Sequence, residues 1–140
     1  MALQTKGLST TLRDYIFEWE NRNDIPVKLD IQDPRSLGLE TEQAVYRTIQ
    51  ESLANVARHS KARQGEVSLI YHPDMLEVMI SDDGIGFDID HKKESMGLRS
   101  IRERISSVRG TVQVQSAQGK GTRILIQIPL KKTETEKKQS

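Results

Sequence analysis

The apolar residues of this 140-residue chain change their spacing along the sequence, and the order of these changes constrains the fold more than any other feature. Three segments repeat apolar residues at helical intervals, and five shorter segments have the alternating or continuous apolar pattern of strands. They follow the order helix, strand, helix, two strands, helix, two strands. Because each element must bury its apolar face against another, this order predicts a two-layer α/β sandwich, with the helices on one face of a mixed, mostly antiparallel sheet.

The same spacing gives approximate bounds for the elements. Helices are predicted at residues 8–22, 40–59 and 98–108, and strands at residues 25–31, 67–71, 76–81, 111–116 and 122–128. The connections 72–74 and 117–121 have turn-like sequences, so two antiparallel hairpins are expected. Gly110 is placed to cap the third helix. The last ten residues, KKTETEKKQS, contain no apolar side chain and are predicted to form a disordered tail at 131–140.

Composition narrows the classes of function. The chain has no Cys, which excludes disulfides, thiolate metal sites and cysteine nucleophiles and fits a reducing cytoplasm. The net charge of +1 lacks the basic excess that binding to a nucleic-acid backbone requires. No run approaches the roughly 20 apolar residues of a membrane-spanning helix, and the N-terminus lacks the features of a signal peptide. We therefore expect a cytoplasmic domain without direct membrane contact, and any membrane anchor would lie in a longer parent protein.

The second predicted helix carries a polar face. Glu51, Asn55 and His59 are spaced four residues apart, with Arg58 beside them, so they lie roughly opposite the apolar stripe. An amide oxygen and a carboxylate that orients water suit Mg²⁺, which prefers oxygen ligands and is commonly shared with substrate phosphates. On this helix alone, a merely solvated polar face is the simpler explanation.

The segment SDDGIGFD directly follows an apolar strand. Gly84 and Gly86 would let the backbone turn sharply and approach a ligand that a Cβ atom would block. Asp82, at the end of the strand, could accept a hydrogen bond from a buried amino group such as that of adenine. The alternative is an ordinary tight turn, since Asp-Gly is a common turn dipeptide.

Two further segments have features of a ligand site. The polar stretch 87–97 precedes a helix that starts near Leu98, and a helix N-terminus offers unpaired N–H groups to a phosphate chain. The same stretch could equally be an ordinary mobile loop. The segment GKGT, at 119–122, is by itself a hairpin turn, but Thr122 begins a strand that could lie near Asp82.

Taken in this order, the four segments resemble the motifs of the GHKL superfamily of ATPases, which joins DNA gyrase, the ninety-kilodalton heat-shock chaperone, histidine kinases and MutL. QESLANVARHSKA is similar to its N box, SDDGIGFD to its first glycine box, SMGLRSIRERI to its second, and GKGT to the short box that follows. Nearly the whole chain resembles the catalytic domain of sensor histidine kinases related to nitrate and membrane-fluidity sensors. The resemblance implies a Bergerat fold, in which ATP lies between helices and sheet under a flexible lid.

The resemblance also implies roles for the matching residues. Asn55 would ligate Mg²⁺, and Glu51 would act in catalysis by ordering a metal-bound water or assisting removal of a proton from the phosphoacceptor. Residues 88–96 would form the lid, and Ser95 stands where the second glycine box commonly has glycine. The implied nucleotide-binding residues are Asn55, Arg58, His59, Asp82, Gly84, Gly86, Gly97, Leu98 and Thr122.

In the family that the chain resembles, the phosphoacceptor histidine lies in a helical dimerisation segment ahead of the catalytic domain. None of His59, His72 and His91 stands in such a context. We therefore expect residues 1–7 to be a remnant of the linker from that segment, and residues 8–130 to be the catalytic domain. Such a domain would bind ATP and Mg²⁺ as a monomer without phosphorylating itself. It would transfer the γ-phosphoryl group to the separate acceptor histidine, and a response regulator would take the group from there.

Two alternatives share the nucleotide pocket that the resemblance implies. An anti-sigma-factor serine kinase would phosphorylate a serine on a partner protein. A non-catalytic interaction module would use bound nucleotide only to stabilise a conformation.

Overall fold

A computed structural model of the chain describes residues 2–86 and 96–130. Its helices are α1 (Ala2–Asn23), α2 (Leu39–Asn55) and α3 (Met96–Ser106), and its strands are β1 (Val27–Gln32), β2 (Gly65–Tyr71), β3 (Met75–Asp82), β4 (Thr111–Ser116) and β5 (Thr122–Pro129). One π-helical turn, Val56–Ser60, continues α2. Within these residues the predicted order of helices and strands is confirmed.

The strands form one five-stranded sheet in the order β1-β2-β3-β5-β4. β1 pairs with β2 in parallel, and the other three pairs are antiparallel, including the two predicted hairpins β2–β3 and β4–β5. Alternate strand residues such as Leu69, Val78 and Ile126 are fully buried, and they form one core with Ile49 of α2 and Ile101 of α3. The helices cover one face of the sheet, so the predicted α/β sandwich is confirmed.

The first helix begins earlier than its apolar spacing indicates. α1 starts at Ala2 instead of Leu8, but Gly7 has non-helical angles (φ 81°, ψ 168°), so a kink separates a short first part from the predicted helix. Leu3, in the first part, is buried in the core. Residues 2–6 are therefore helical and packed through Leu3 against the rest of the molecule.

The first strand begins two residues later than predicted, at Val27 instead of Ile25. Proline cannot donate a backbone hydrogen bond, so Pro26 is a natural limit for the strand. The N–H of Val27 donates to Oε2 of Glu20 in α1 at 2.7 Å, which ties the start of the strand to the preceding helix.

The helix predicted over 40–59 has two parts. α2 ends at Asn55, and the next residues, including His59, form the π-helical turn. Lys61 then ends it in the left-handed conformation (φ 52°). Single π-helical turns occur frequently at functional sites, because they shift the residues after them around the helix axis.

The end of α3 is capped by two neighbouring residues. The N–H of Gly110 donates to the carbonyl of Ile105 at 2.9 Å, which confirms the capping role predicted for this glycine. The left-handed conformation, however, belongs to Arg109 (φ 65°). Glycine is required at position 110 for space, since a Cβ atom there would lie 2.6 Å from Cγ2 of Ile105 and 2.9 Å from Cγ1 of Ile128.

Several predictions concern residues outside the described ranges. The predicted lid lies there except for Met96, the first residue of α3, and so do Ser95, His91 and the predicted tail at 131–140. Within residues 2–86 and 96–130, no helix combines the length and the apolar character needed to cross a membrane.

Candidate functional site

The start of α3 lies against the polar face at the end of α2. A Cβ atom placed on Gly97 would lie 3.1 Å from Nδ2 of Asn55 and 3.6 Å from Oε1 of Glu51. The absence of a side chain at position 97 therefore lets the N-terminal turn of the helix approach both polar side chains. The structure thus brings together three predicted site residues that the sequence places in two separate motifs.

Asn55 is the last residue of α2 and is partly exposed. Nη2 of Arg58 donates to Oδ1 of Asn55 at 3.1 Å, which holds the amide oxygen toward the guanidinium. An amide oxygen has two lone pairs, so a second contact to a metal ion remains chemically open. His59 lies in the π-helical turn that follows.

Glu51 has a partner that was not predicted. Nη1 of Arg104 in α3 lies 3.1 Å from Oε2 of Glu51, and both side chains are 27% exposed. Nη2 of the same guanidinium donates to Oγ of Ser100 at 3.2 Å. Gly97, Ser100 and Arg104 share one face of α3 by helical spacing, which is the sequence signal that could have indicated a common surface.

The polar residues where α2 ends and α3 begins suit a magnesium ion that is shared with a bound ligand better than a metal site built by protein ligands alone. Within the described ranges, no three His, Asp or Glu side chains stand close enough to hold a metal ion together. Mg²⁺ keeps several waters and is often held by one or two protein oxygens plus substrate phosphates. Oδ1 of Asn55 and the carboxylate of Glu51 supply such oxygens.

Asp82 ends β3 and is partly buried. Its Oδ1 accepts the N–H of Gly84 at 2.8 Å, and Oδ2 accepts no hydrogen bond from any residue that the structure describes. Burial raises the pKa of the Asp82 carboxyl, as does the nearby charge of Asp83, while the Gly84 hydrogen bond opposes the rise. One oxygen is thus fixed by the turn, and the other can accept a hydrogen bond from a ligand.

The adjacent Asp83 has a different environment. Its exposed Oδ1 accepts the backbone N–H groups of Arg63 at 2.8 Å and Gln64 at 3.0 Å. Hydrogen bonding by the Gln64 amide is the main cause that lowers the pKa of this carboxyl, with a further contribution from Arg63. Asp83 therefore stabilises the connection that leads into β2.

The glycine loop after β3 and the turn before β5 interlock through their backbones. Gly86 (φ 68°) and Gly121 (φ 75°) both have left-handed angles. A Cβ atom on Gly121 would overlap the carbonyl oxygen of Asp82, and one on Gly86 would overlap the carbonyl oxygen of Ala117. The N–H of Gly119 also donates to the carbonyl of Ile85. Glycine is required at positions 86 and 121 because the two backbones approach so closely.

Thr122 stands where its sequence position suggested. β3 and β5 pair in a register that sets Thr122 opposite Asp82. The Thr122 hydroxyl lies 2.9 Å from Oγ of Ser116, so it is already hydrogen-bonded across the β4–β5 hairpin. Leu98, in contrast, buries its side chain in the core, so this side chain does not line an open site.

A family model described as "Histidine kinase-, DNA gyrase B-, and HSP90-like ATPase" matches residues 40–132. Among curated proteins, the sensor histidine kinase LiaS of Bacillus subtilis (strain 168) is 37% identical over 131 residues, covering 93% of this chain and 36% of LiaS. The histidine-protein kinase/phosphatase DegS of the same organism is 35% identical over 139 residues, again covering 93% of the chain and 36% of DegS. The chain therefore spans little more than a third of the length of these relatives.

Solved structures show the same fold. The histidine kinase domain of the blue-light activated kinase from Erythrobacter litoralis EL346 superposes with a TM-score of 0.71 at 23% identity, covering 88% of this chain and 61% of that domain. A solved chain of the histidine kinase AdeS of Acinetobacter baumannii gives a TM-score of 0.70 at 16% identity, covering 89% of this chain and 64% of that solved chain. At these identities the likeness concerns the arrangement of helices and strands.

Proposed function

This chain belongs to the family of histidine kinase-, DNA gyrase B- and HSP90-like ATPases, and on that premise we propose that it binds ATP with Mg²⁺ and donates the γ-phosphoryl group to a histidine on a separate dimerisation domain of a sensor kinase. The observation that carries the proposal is the approach of Gly97 to Asn55 and Glu51. It sets a helix N-terminus, an amide oxygen and a carboxylate around one point, as binding of a metal and a phosphate chain requires.

The adenine end of the proposed site is Asp82. Its second carboxylate oxygen would accept a hydrogen bond from the adenine amino group, and Gly84 and Gly86 would shape the pocket around the base. A hydrogen bond to a charged group contributes about 1.5–3 kcal/mol, enough to prefer adenine over a base that presents a carbonyl oxygen at that place. Thr122, opposite Asp82 in the sheet, would assist.

The phosphate end of the proposed site is the junction of α2 and α3. Asn55 would ligate Mg²⁺ through Oδ1, Glu51 would order a metal-bound water or assist proton removal from the acceptor, and the backbone of Gly97 and Leu98 would face the phosphates. Bound Mg²⁺ neutralises charge on the β- and γ-phosphates, and the protein contributes mainly positioning. Arg58 and His59 would assist, the former by orienting the amide of Asn55.

The remaining parts of the proposal concern a longer parent kinase. Residues 8–130 would be its catalytic domain, residues 1–7 the end of the linker from the dimerisation domain, and residues 131–140 a disordered tail. We place the parent among the kinases related to nitrate and membrane-fluidity sensors, with a response regulator as final acceptor. The isolated domain would work as a cytoplasmic monomer, with any membrane anchor elsewhere in the parent.

The curated relatives named above are sensor kinases, so the serine-kinase and non-catalytic alternatives are not favoured.

A calorimetric titration of the chain with ATP, with and without Mg²⁺ and with GTP as control, tests the site. Saturable binding that prefers ATP and tightens with Mg²⁺ is expected. Radiolabelled ATP should then label an added dimerisation domain but not the chain itself. Label on the isolated chain, or equal binding of GTP, would contradict the proposal.

A further inference from the structure

One face of α3 turns three residues toward α2, and the last of them is Arg104. Gly97, in the first turn, lies against Asn55, Ser100 follows on the same face, and Arg104, about two turns after Gly97, reaches Glu51. Two nitrogens of the Arg104 guanidinium are occupied, since Nη1 donates to Oε2 of Glu51 and Nη2 to Oγ of Ser100. The guanidinium is thus fixed at two points.

The two carboxylate oxygens of Glu51 have different neighbours. Oε2 lies 3.1 Å from Nη1 of Arg104. Oε1 lies 3.6 Å from the position of a Cβ atom on Gly97 and therefore faces the beginning of α3 and the amide of Asn55. A glutamate has several rotatable bonds, and fixing such a side chain costs up to about 2 kcal/mol of conformational entropy. The hydrogen bond from Arg104 restricts the carboxylate to orientations in which one oxygen faces the junction of α2 and α3.

We propose that Arg104 is a positioning residue for phosphoryl transfer, which holds Glu51 so that Oε1 is directed at the junction of α2 and α3. This inference rests on the proposed function of that junction. Arg104 would contact neither ATP nor Mg²⁺ and would act through Glu51. Because α3 carries both Gly97 and Arg104, a single helix would set the phosphate-facing N–H groups and the catalytic carboxylate together.

A purely stabilising role for this ion pair is the competing explanation. Both partners are 27% exposed, so water still screens the pair in part, and its contribution to folding stability should be modest. α3 is anchored independently by Ile101 and Ile105, which are fully buried. Loss of Arg104 should therefore leave the fold and ATP binding largely intact and should lower the rate at saturating ATP.

The test measures phosphorylation of the parent kinase's dimerisation domain by this chain, with kcat and KM for ATP determined separately. Arg104→Ala should lower kcat about tenfold or more, because misplacing a reacting group by a small distance slows a positioned reaction strongly, while KM stays within about threefold. Arg104→Lys should recover part of the rate. The double variant Glu51→Gln/Arg104→Ala should be no slower than Glu51→Gln alone. Arg104 acts only through Glu51, so its loss has no further effect once the carboxylate is gone.

Arg102→Ala is the matched control. Arg102 lies on the same helix, but Nη1 donates to the carbonyl of Val112 in β4, away from α2. Its loss should lower the melting temperature without lowering kcat. If Arg104→Ala fails to fold, Arg104→Gln replaces it, because glutamine removes the charge and is too short to reach the positions of Nη1 and Nη2.

The outcomes separate this inference from the proposed function. If the unsubstituted chain neither binds ATP nor phosphorylates the acceptor domain, both the proposed function and the positioning role of Arg104 are overturned. If the unsubstituted chain transfers the phosphoryl group and Arg104→Ala or Arg104→Gln keeps the full kcat, only the positioning role is overturned. Equal loss of kcat in the Arg102 and Arg104 variants would show that the ion pair between Glu51 and Arg104 merely stabilises α3.

Discussion

The two ends of the candidate site are built in different ways. At the sheet end, the turns around Asp82, Gly86 and Gly121 meet backbone to backbone, without space for a Cβ atom at position 86 or 121. At the helix end, Glu51 and Asn55 are held by the long side chains of arginines. A backbone contact has no freedom to adapt, whereas a side chain held by hydrogen bonds can change rotamer when a ligand competes for them. On the proposed assignment of roles, the base-binding end is therefore the rigid part of the site, and the phosphate end depends on the orientation of side chains.

A methyl group added at the sheet end should have the largest effect. Gly121→Ala should lower the free energy of unfolding by about 3 kcal/mol or more, because a left-handed angle and an overlap with the Asp82 carbonyl are penalised together. Gly119→Ala is the control, since its φ is 78° but nothing lies within 4 Å of the added atom. Its cost should be about 1 kcal/mol. Equal losses in chemical denaturation would refute the close-approach argument.

The second prediction separates recognition from structure within two adjacent residues. Asp82→Asn should weaken ATP binding about 100-fold, or roughly 2.7 kcal/mol, because it removes a charged acceptor and turns a donor toward the adenine amino group. Asp83→Asn should leave affinity near that of the parent chain, since Asp83 bonds to Arg63 and Gln64 instead. Calorimetry at neutral pH measures both. Similar affinities for the two variants would remove Asp82 from the site.

The third prediction tests how adaptable the helix end is. Asn55→Ala should weaken binding of ATP in the presence of Mg²⁺ about tenfold and leave Mg²⁺-free binding unchanged, because one metal ligand of several is lost. Arg58→Ala should have a smaller effect, since it removes only the group that orients the amide. If Asn55→Ala weakened binding equally with and without Mg²⁺, the amide would not be a metal ligand.

The smallest expected effect concerns the pH dependence of stability. The raised pKa of Asp82 favours its protonated form in the folded state, so its contribution is full below the ordinary aspartate pKa of about 3.9 and is lost as pH rises through the folded value. The lowered pKa of Asp83 has the opposite consequence: its contribution is present above the ordinary pKa and is lost as pH falls through the folded value. Asp82→Asn should therefore gain stability relative to the parent as pH rises toward neutrality.

Asp83→Asn should lose stability relative to the parent over the same change of pH. Denaturant midpoints measured from acid to neutral pH compare the two variants. If the stability of both variants, relative to the unsubstituted chain, changed in the same direction with pH, the different environments described for these neighbouring carboxylates would be contradicted.

The parts of the fold that sequence predicted depend on short-range signals. The apolar stripe of α2 and the turns at 72–74 and 117–121 are local patterns, and they gave the order of elements and both hairpins correctly. The proximity of Thr122 to Asp82 followed from the ends of two strands that pair.

What the sequence could not indicate depends on contacts between distant segments. Glu51 and Arg104 are 53 residues apart, and their pairing requires knowledge of how α3 lies against α2. The two glycines of GKGT look alike in sequence, yet only at Gly121 would an added Cβ atom meet another backbone. The kink at Gly7 and the burial of Leu3 ahead of it likewise follow from no local pattern of apolar residues.

The parallel pairing of β1 with β2 has a consequence for the folding pathway. The hairpin β2–β3 closes a loop of residues 72–74, whereas joining β1 to β2 requires ordering residues 33–64, including α2. Loop closure costs more entropy as the loop lengthens, so the antiparallel hairpins should nucleate first and the edge strand should join late. Substitutions such as Leu29→Ala in β1 should accelerate unfolding more than they slow folding, whereas Val78→Ala in β3 should slow folding.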